Sequence, residues 1–345
     1  MRTEVDHEWA TPTPDGMGRI RAKSFGAATP SRDTAHVINV PDPVRRSAES
    51  QGPVGRAWLA ALPGLVDELC HAWSLSLGEA FDGGKWAYVA RARVADGTEA
   101  VLKVAPPTPD FAQQVGTIEA AAGRGYVHLR NTDPDRHALL MEVLGPRLSV
   151  AGHPIEHMLD VLAATLRQAW QDPRPTEAIT TPGADPASGL IGILDEPWPR
   201  GGQPCSPRLI TLARTLAERR SAAFDLDTCV LCHGDPHADN ALAVLAPRPG
   251  AESGYVFVDP DGFACEPAYD LGVAMRGWTH EVLSANDAVA LTHSWSTRLA
   301  DATGVDECVI WEWGLIQRVT TGLYLMRHGH EAEGRAFLAS AERLV

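Results

Sequence analysis

The sequence predicts an α+β chain in two lobes, a small β-rich one over residues 37–144 and a larger, mainly helical one over residues 145–345. Three observations carry this reading. Short apolar runs separated by glycine turns fill Leu77 to Val104. Helical periodicity dominates the second half. One pair of apolar runs, Ala241 to Ala246 and Gly254 to Val258, interrupts those helices with a turn-rich spacer between them, as a β-hairpin does. At 345 residues the chain is long enough for two such lobes with their own cores.

Residues 1–36 are rich in Pro, Gly, Thr and charge and lack periodicity, which predicts a disordered tail. Gly55 to Leu75 is an amphipathic helix, with Trp58, Leu62, Leu65, Val66, Leu69 and Trp73 at helical spacing. Phe81-Asp-Gly-Gly-Lys85 is a turn between strands, Tyr88 to Val94 alternates apolar and polar, and Asp96-Gly97 leads by a hairpin into the strand Ala100 to Val104. Phe111 to Gly123 is a helix, and Ala138 to Gly145 an apolar strand ending in glycine. Helices follow over Pro154 to Trp170 and Ser206 to Phe224, with Thr180 to Pro204 as an irregular connection rich in Gly and Pro. The last three helices are expected over Ala285 to Ala302, Ile310 to Met326 and Glu331 to Leu344.

Composition excludes several classes. No run of 18 apolar residues suggests a membrane span. The start of the chain lacks the basic and apolar stretches of a secretory signal. Six scattered cysteines fit a reduced, cytoplasmic protein. A net charge of −14 argues against nucleic acid or an anionic membrane as partner. From Leu226 to Val345 there are 17 Asp and Glu against 7 Arg and no Lys. That surplus would attract a cationic small-molecule substrate, although ordinary solubilising charge gives the same count. The oligomeric state is not legible.

The segment Leu231-Cys-His-Gly-Asp-Pro-His-Ala-Asp-Asn240 carries the chemistry, with Asp259 at the end of the next apolar run. If the two runs pair antiparallel, the start of the first lies beside the end of the second. Asn240 and Asp259 then meet at one end of the hairpin, with Asp235 just before it. Three oxygen-bearing side chains there suit a hard ion such as Mg2+. Capping a turn is the ordinary role of each residue singly. Taken together they are what a kinase needs: one carboxylate to orient and deprotonate a hydroxyl, and an Asn with an Asp to hold magnesium on nucleotide phosphates. A zinc reading of Cys229, Cys232, His233 and His237 is the weaker one, because Val230 and Leu231 make the cysteine pair look like part of a buried strand and no second pair sits at a useful spacing.

Lys103 is one of only three lysines and sits among apolar residues in Val101-Leu-Lys-Val-Ala105. It is either a phosphate-contacting lysine paired with Glu119 on the next helix, or an exposed residue of an edge strand. The downstream motif favours the first. Gly83 and Gly84 either cover the phosphates with backbone amides or simply make a turn.

His233, Asp235 and Asn240 match the His-x-Asp-x4-Asn signature of the aminoglycoside phosphotransferase family, which this chain resembles from about Val40 to its end. Pro267-Ala-Tyr-Asp-Leu-Gly272 and Arg318-Val-Thr-Thr-Gly-Leu-Tyr324 are similar to the branch that phosphorylates streptomycin and hydroxyurea. The resemblance implies a bilobal protein-kinase-like fold, ATP and Mg2+ as cofactors, Asp235 as catalytic residue, and Asn240 and Asp259 as metal ligands. It implies that Lys103, held by Glu119, grips the α- and β-phosphates, and that Glu142, Val143 and Leu144 line the adenine at an interlobe hinge. It also implies that Asp270 braces the catalytic loop. Only seven residues separate Asp259 from Pro267, which leaves no room for an activation segment and disfavours a polypeptide acceptor. The expected activity is O-phosphorylation of a small molecule, an aminoglycoside first, with hydroxyurea, a peptide antibiotic or a metabolite as alternatives. A nucleotide-binding pseudoenzyme is the non-enzyme alternative. Glu266, Glu312, His280, Trp278, Trp311 and Trp313 are candidates to line the acceptor cleft, with core packing the plainer role for each.

Overall fold

The computed structural model describes residues 38–82, 84, 86–171, 185–197 and 204–345. The expected N-terminal tail and Gly83 lie outside them. The described residues divide into two compact units, 38–115 with 127–144 and 116–126 with 145–345.

The first unit begins with helices α1 (Asp42–Ser50) and α2 (Pro53–Ala72). Strands β1 (Leu75–Ala80), β2 (Tyr88–Val94) and β3 (Glu99–Val104) follow, and helix α3 (Phe111–Ala121) runs on into the second unit. Strands β4 (Leu129–Asp133) and β5 (Ala138–Met141) complete an antiparallel sheet of order β1-β2-β3-β5-β4. Trp58, Leu62, Val66 and Leu69 of α2 pack with Tyr88, Ala90, Ala100, Leu102 and Val104 of the sheet. Each large apolar side chain so buried contributes about 1.5–3 kcal/mol. The period of two in β3 puts Lys103 on the face opposite this core. The Asp96-Gly97 turn forms as expected, with Gly97 at φ +88° and Thr98 N donating to Asp96 Oδ1 at 2.8 Å.

Strand β6 (Leu144–Arg147) leads into the second unit, which then holds helices α4 (Ile155–Ala169), α5 (Pro186–Asp195) and α6 (Pro207–Ala222). Short strands β7 (Val230–Cys232), β8 (Ala241–Val244), β9 (Tyr255–Phe257) and β10 (Phe263–Cys265) come next. Helices α7 (Ala268–Arg276), α8 (Thr279–Ser284), α9 (Ala288–Thr303), α10 (Glu307–Arg327) and α11 (Glu331–Glu342) close the chain. Strands β6, β8 and β9 form one small sheet, and β7 pairs with β10 in another. Helix α10 is buried on nearly every side from Ile310 to Leu325. It lies so close to α7 that a Cβ on Gly272 would stand 2.5 Å from that of Trp313.

Two expectations need correction, and some elements were not expected. The connection over Thr180 to Pro204 contains a helix, α5, capped by Asp185 with Pro186 in its first turn. Helix α1 and the edge strand β4 were not anticipated. The strand expected to run through Gly145 stops at Met141, and β6 begins at Leu144. Among the described residues no helix is long and apolar enough to cross a membrane.

Candidate active site

The loop that follows β7 is fixed mainly through its backbone. Gly234 sits at φ +89°, and a Cβ there would lie 2.7 Å from Asp261 Cβ and from Phe263 Cε1, so only glycine fits. The amides of His233 and Gly234 each donate to Asp270 at 2.9 Å, and Trp170 Nε1 donates to the same carboxylate at 3.0 Å. Asp270 therefore braces this loop, as the family resemblance implied. Burial pushes its carboxyl up to about 6, against the pull of those hydrogen bonds. Asp261 N and Gly262 N donate in turn to the His233 carbonyl.

His233 is fully buried, stacked on Tyr126 and edge-on to Phe257. The Asp235 amide donates to its Nδ1 at 3.1 Å, so Nε2 carries the hydrogen and donates to the Val258 carbonyl at 3.0 Å. Burial lowers its pKa to about 4. The unfolded chain takes up this proton below about pH 6.5, whereas the folded chain holds out to about 4. Stability is therefore lost as pH falls through that window, by roughly 3 kcal/mol in full. Urea midpoints at pH 7 and pH 4.5 should fall further for wild type than for His233→Asn. The raised Asp270 acts in the opposite sense but is common to both proteins. Parallel profiles would rule out a neutral buried imidazole.

Asp235 is 2% exposed. Its Oδ1 accepts from Arg276 Nη2, and its Oδ2 lies 3.2 Å from His237 Nε2 without good hydrogen-bond alignment. Burial pushes the Asp235 carboxyl up, but His237 and Arg276 outweigh it and hold it below the ordinary carboxylate range. This carboxylate is thus ionised and oriented in the folded chain.

Asn240 directly precedes β8 and Asp259 lies two residues beyond β9. Ala241 pairs with Phe257, and Val258 N donates to the Asn240 carbonyl at 3.0 Å. The hairpin thus brings the backbones of Asn240 and Asp259 to the same end, as the strand pattern predicted. Asn240 Nδ2 donates to the Asp235 carbonyl at 3.0 Å, which commits its nitrogen and leaves its oxygen to act as a ligand. Asp259 sits at φ +57°, a left-handed conformation that Asp tolerates better than most residues. Among the described residues no group of three or more His, Cys, Asp or Glu is arranged to hold a metal unaided. An Asn and an Asp beside nucleotide phosphates do suit magnesium, which takes few protein ligands when phosphates and water supply the rest. Zinc at the cysteine pair finds no support, since Cys232 points its thiol at the Cys265 carbonyl and burial pushes that thiol well up.

The model of the aminoglycoside/hydroxyurea antibiotic resistance kinases matches residues 73–329. The chain belongs to that family. It is 26% identical to the streptomycin 6-kinase of Streptomyces glaucescens over 90% of this chain and 98% of that one. It is 29% identical to the hydroxyurea phosphotransferase of Kitasatospora aureofaciens over 68% of each. Among solved structures, the choline kinase of Streptococcus pneumoniae is similar at TM-score 0.53 and 14% identity, over 81% of this chain and 99% of that one. The fold is protein-kinase-like, and the protein is a phosphotransferase with an alcohol group as acceptor.

The other residues that the sequence singled out in this kinase are placed as follows. Lys103 is 8% exposed, and its Nζ donates to Gln114 Oε1 at 3.4 Å. Gln114 is a partner that sequence reasoning missed; Glu119 is exposed on the same helix. Gly84 lies between β1 and β2, where a Cβ would come no nearer than 3.4 Å to Ala87 O, so sterics there do not demand glycine. Glu142 exchanges two bonds with His128, its amide donating to the His128 carbonyl at 3.0 Å and its carboxylate accepting from the His128 amide at 2.8 Å. Val143 follows outside any strand, and Leu144 opens β6.

The acidic side chains named for the acceptor cleft have partners within the chain. Glu312 is paired with Arg219 and Arg220, and Glu266 accepts from Trp313 Nε1 at 2.8 Å. Trp313 is core, Trp311 stacks on His293, and Trp278 packs edge-on to Trp295. Arg276 is the main omission of the sequence reading. One signal was available: an arginine closing the apolar run Leu271 to Met275 requires a buried partner.

Proposed function

We propose that this kinase transfers the γ-phosphoryl group of ATP to a hydroxyl of a streptomycin-like aminoglycoside, conferring resistance to it. The observation that carries the proposal is the gathering of Asp235, Asn240 and Asp259 at one end of the β8–β9 hairpin. The acceptor class is supported by the streptomycin 6-kinase likeness, which spans nearly the whole of both chains. In this reading Asp235 orients the acceptor hydroxyl and takes its proton. The acceptor oxygen bonds to the γ-phosphorus as the bond to the β–γ bridging oxygen breaks, and ADP leaves. Because the transition state is loose, orientation and charge neutralisation dominate over basicity. Asn240 and Asp259 hold Mg2+, which when bound neutralises phosphate charge. Lys103, steadied by Gln114 and Glu119, grips the α- and β-phosphates, and the backbone at Gly83 and Gly84 covers them. Glu142, Val143 and Leu144 meet the adenine. A need for ATP puts the enzyme in the cytoplasm.

The test is ADP release by the purified full chain with ATP and Mg2+ on streptomycin, hydroxyurea and a hydroxyl-bearing peptide antibiotic, with mass analysis of the products. Streptomycin should gain one phosphate, and chelating the Mg2+ should stop it. Turnover of hydroxyurea alone would move the acceptor to that branch. A thermal shift with ATP but no turnover on any acceptor would favour a nucleotide-binding protein over an enzyme.

A further inference from the structure

Arg276 ends α7 and is 2% exposed. A guanidinium at that depth needs its charge matched and its donors satisfied. Nη2 donates to Asp235 Oδ1, and Nη1 donates to Gln317 Oε1 at 3.4 Å. Arg318, the next residue on α10, is equally buried and serves a different end of the same helix turn. Its Nη2 donates to the carbonyls of Met275 at 3.1 Å and Gly277 at 3.0 Å, and its Nη1 donates to Ser340 Oγ at 3.0 Å. Those two carbonyls flank Arg276 in the sequence. They belong to the last turn of α7, where helix carbonyls lack intrahelical partners. The close approach of α7 and α10 at Gly272 and Trp313 allows the two arginines to share this space.

Packing alone does not account for the arrangement. Burial and the neighbouring charge of Arg276 pull the Arg318 guanidinium down to about 9, so the pair works against itself. Apolar side chains of similar volume would fill the same space without that opposition. What the arginines accomplish is geometric: α10 fixes the end of α7, and the end of α7 reaches the Asp235 carboxylate.

Resting on the phosphotransfer reading of Asp235, we propose that Arg276 is a positioning residue for the reaction. It ties Asp235 through Oδ1, so that the acceptor hydroxyl meets Oδ2 on the side of the carboxylate where His237 Nε2 lies at 3.2 Å, while Gln317 and Arg318 hold Arg276 in place. Arg276 itself touches neither the nucleotide nor the acceptor.

The test compares Arg276→Met, Arg276→Lys and Asp235→Asn in the full chain with ATP, Mg2+ and streptomycin, alongside thermal shift by Mg-ADP. Arg276→Met is expected to lower kcat by about 100-fold, the scale of a misplaced catalytic group, with the KM for ATP and the Mg-ADP shift unchanged. Arg276→Lys keeps the charge but loses the two-pronged fork. It should recover part of kcat yet stay at least about ten-fold below wild type. Where the Met variant fails to fold, the Lys variant decides alone. Wild-type kcat in Arg276→Lys, or kcat and ATP affinity falling together, overturns the inference. Full activity in Asp235→Asn, or no turnover by wild type, overturns the reading of Asp235 instead.

Discussion

Asp235→Asn is expected to lower kcat by roughly 10³-fold while Mg-ADP still raises the unfolding temperature as in wild type. The carboxamide is close in size to the carboxylate and its oxygen still accepts from Arg276, so the loop keeps its shape. What disappears is the acceptor for the hydroxyl proton and the charge that orients the hydroxyl. Asp235→Ala should be equally inactive but is a worse experiment. It leaves Arg276 as a buried cation without its carboxylate, a change that costs roughly 3–5 kcal/mol. Loss of activity there is confounded with loss of the fold. The pair of variants therefore separates chemistry from stability: both inactive, only Ala unstable. An Asp235→Asn enzyme turning over at near wild-type rate would remove Asp235 from the mechanism. If the Mg-ADP shift vanished with activity, the residue would be acting in nucleotide binding rather than in transfer.

How much of this was legible in the sequence depends on the distance over which each feature is set. The meeting of Asn240 and Asp259 was legible because a hairpin is local: two apolar runs, a Pro- and Gly-rich spacer, and antiparallel pairing fix which ends coincide. The Asp96-Gly97 hairpin was legible for the same reason. Helix α5 was missed because Gly and Pro around it read as loop, yet Asp185-Pro186 is a capping residue followed by proline in the first turn, a start signal that outweighs composition. Strand β4 was missed because Leu-Arg-Asn-Thr-Asp lies at a sheet edge and stays polar. Helix α1 buries only Val44 and Ala48, too few to show a period. The contacts of Arg276 with Asp235 and with Gln317 each bridge 41 residues. They depend on how α7 meets α10, which no local pattern encodes. The same limit applies to Glu312, a candidate for the acceptor cleft whose arginine partners lie on α6, about 93 residues earlier in the chain.

Asp270→Ala is the substitution expected to cost most in stability. The carboxylate gathers three donors in a fully buried place: the amides of His233 and Gly234 and the indole of Trp170. Each buried donor left without an acceptor costs about 1–3 kcal/mol, so the loss is roughly 3 kcal/mol or more even if water enters the space. Asn in the same position does not repair it, because its amide nitrogen would face one of the three donors. Trp170→Phe is the graded control: it removes one donor, leaves Asp270 its two backbone bonds, and should cost about 1 kcal/mol. Urea denaturation of the three proteins at pH 7.5, where Asp270 is ionised, measures these costs. Activity should follow a different order. Trp170→Phe keeps the His233–Gly234 backbone tied and should retain most of kcat. Asp270→Ala frees the turn that delivers Asp235, so kcat should fall even below its unfolding temperature. If Asp270→Ala were as stable as wild type, the brace would be idle, and the fixed position of Asp235 would have to come from Arg276 and the hairpin alone.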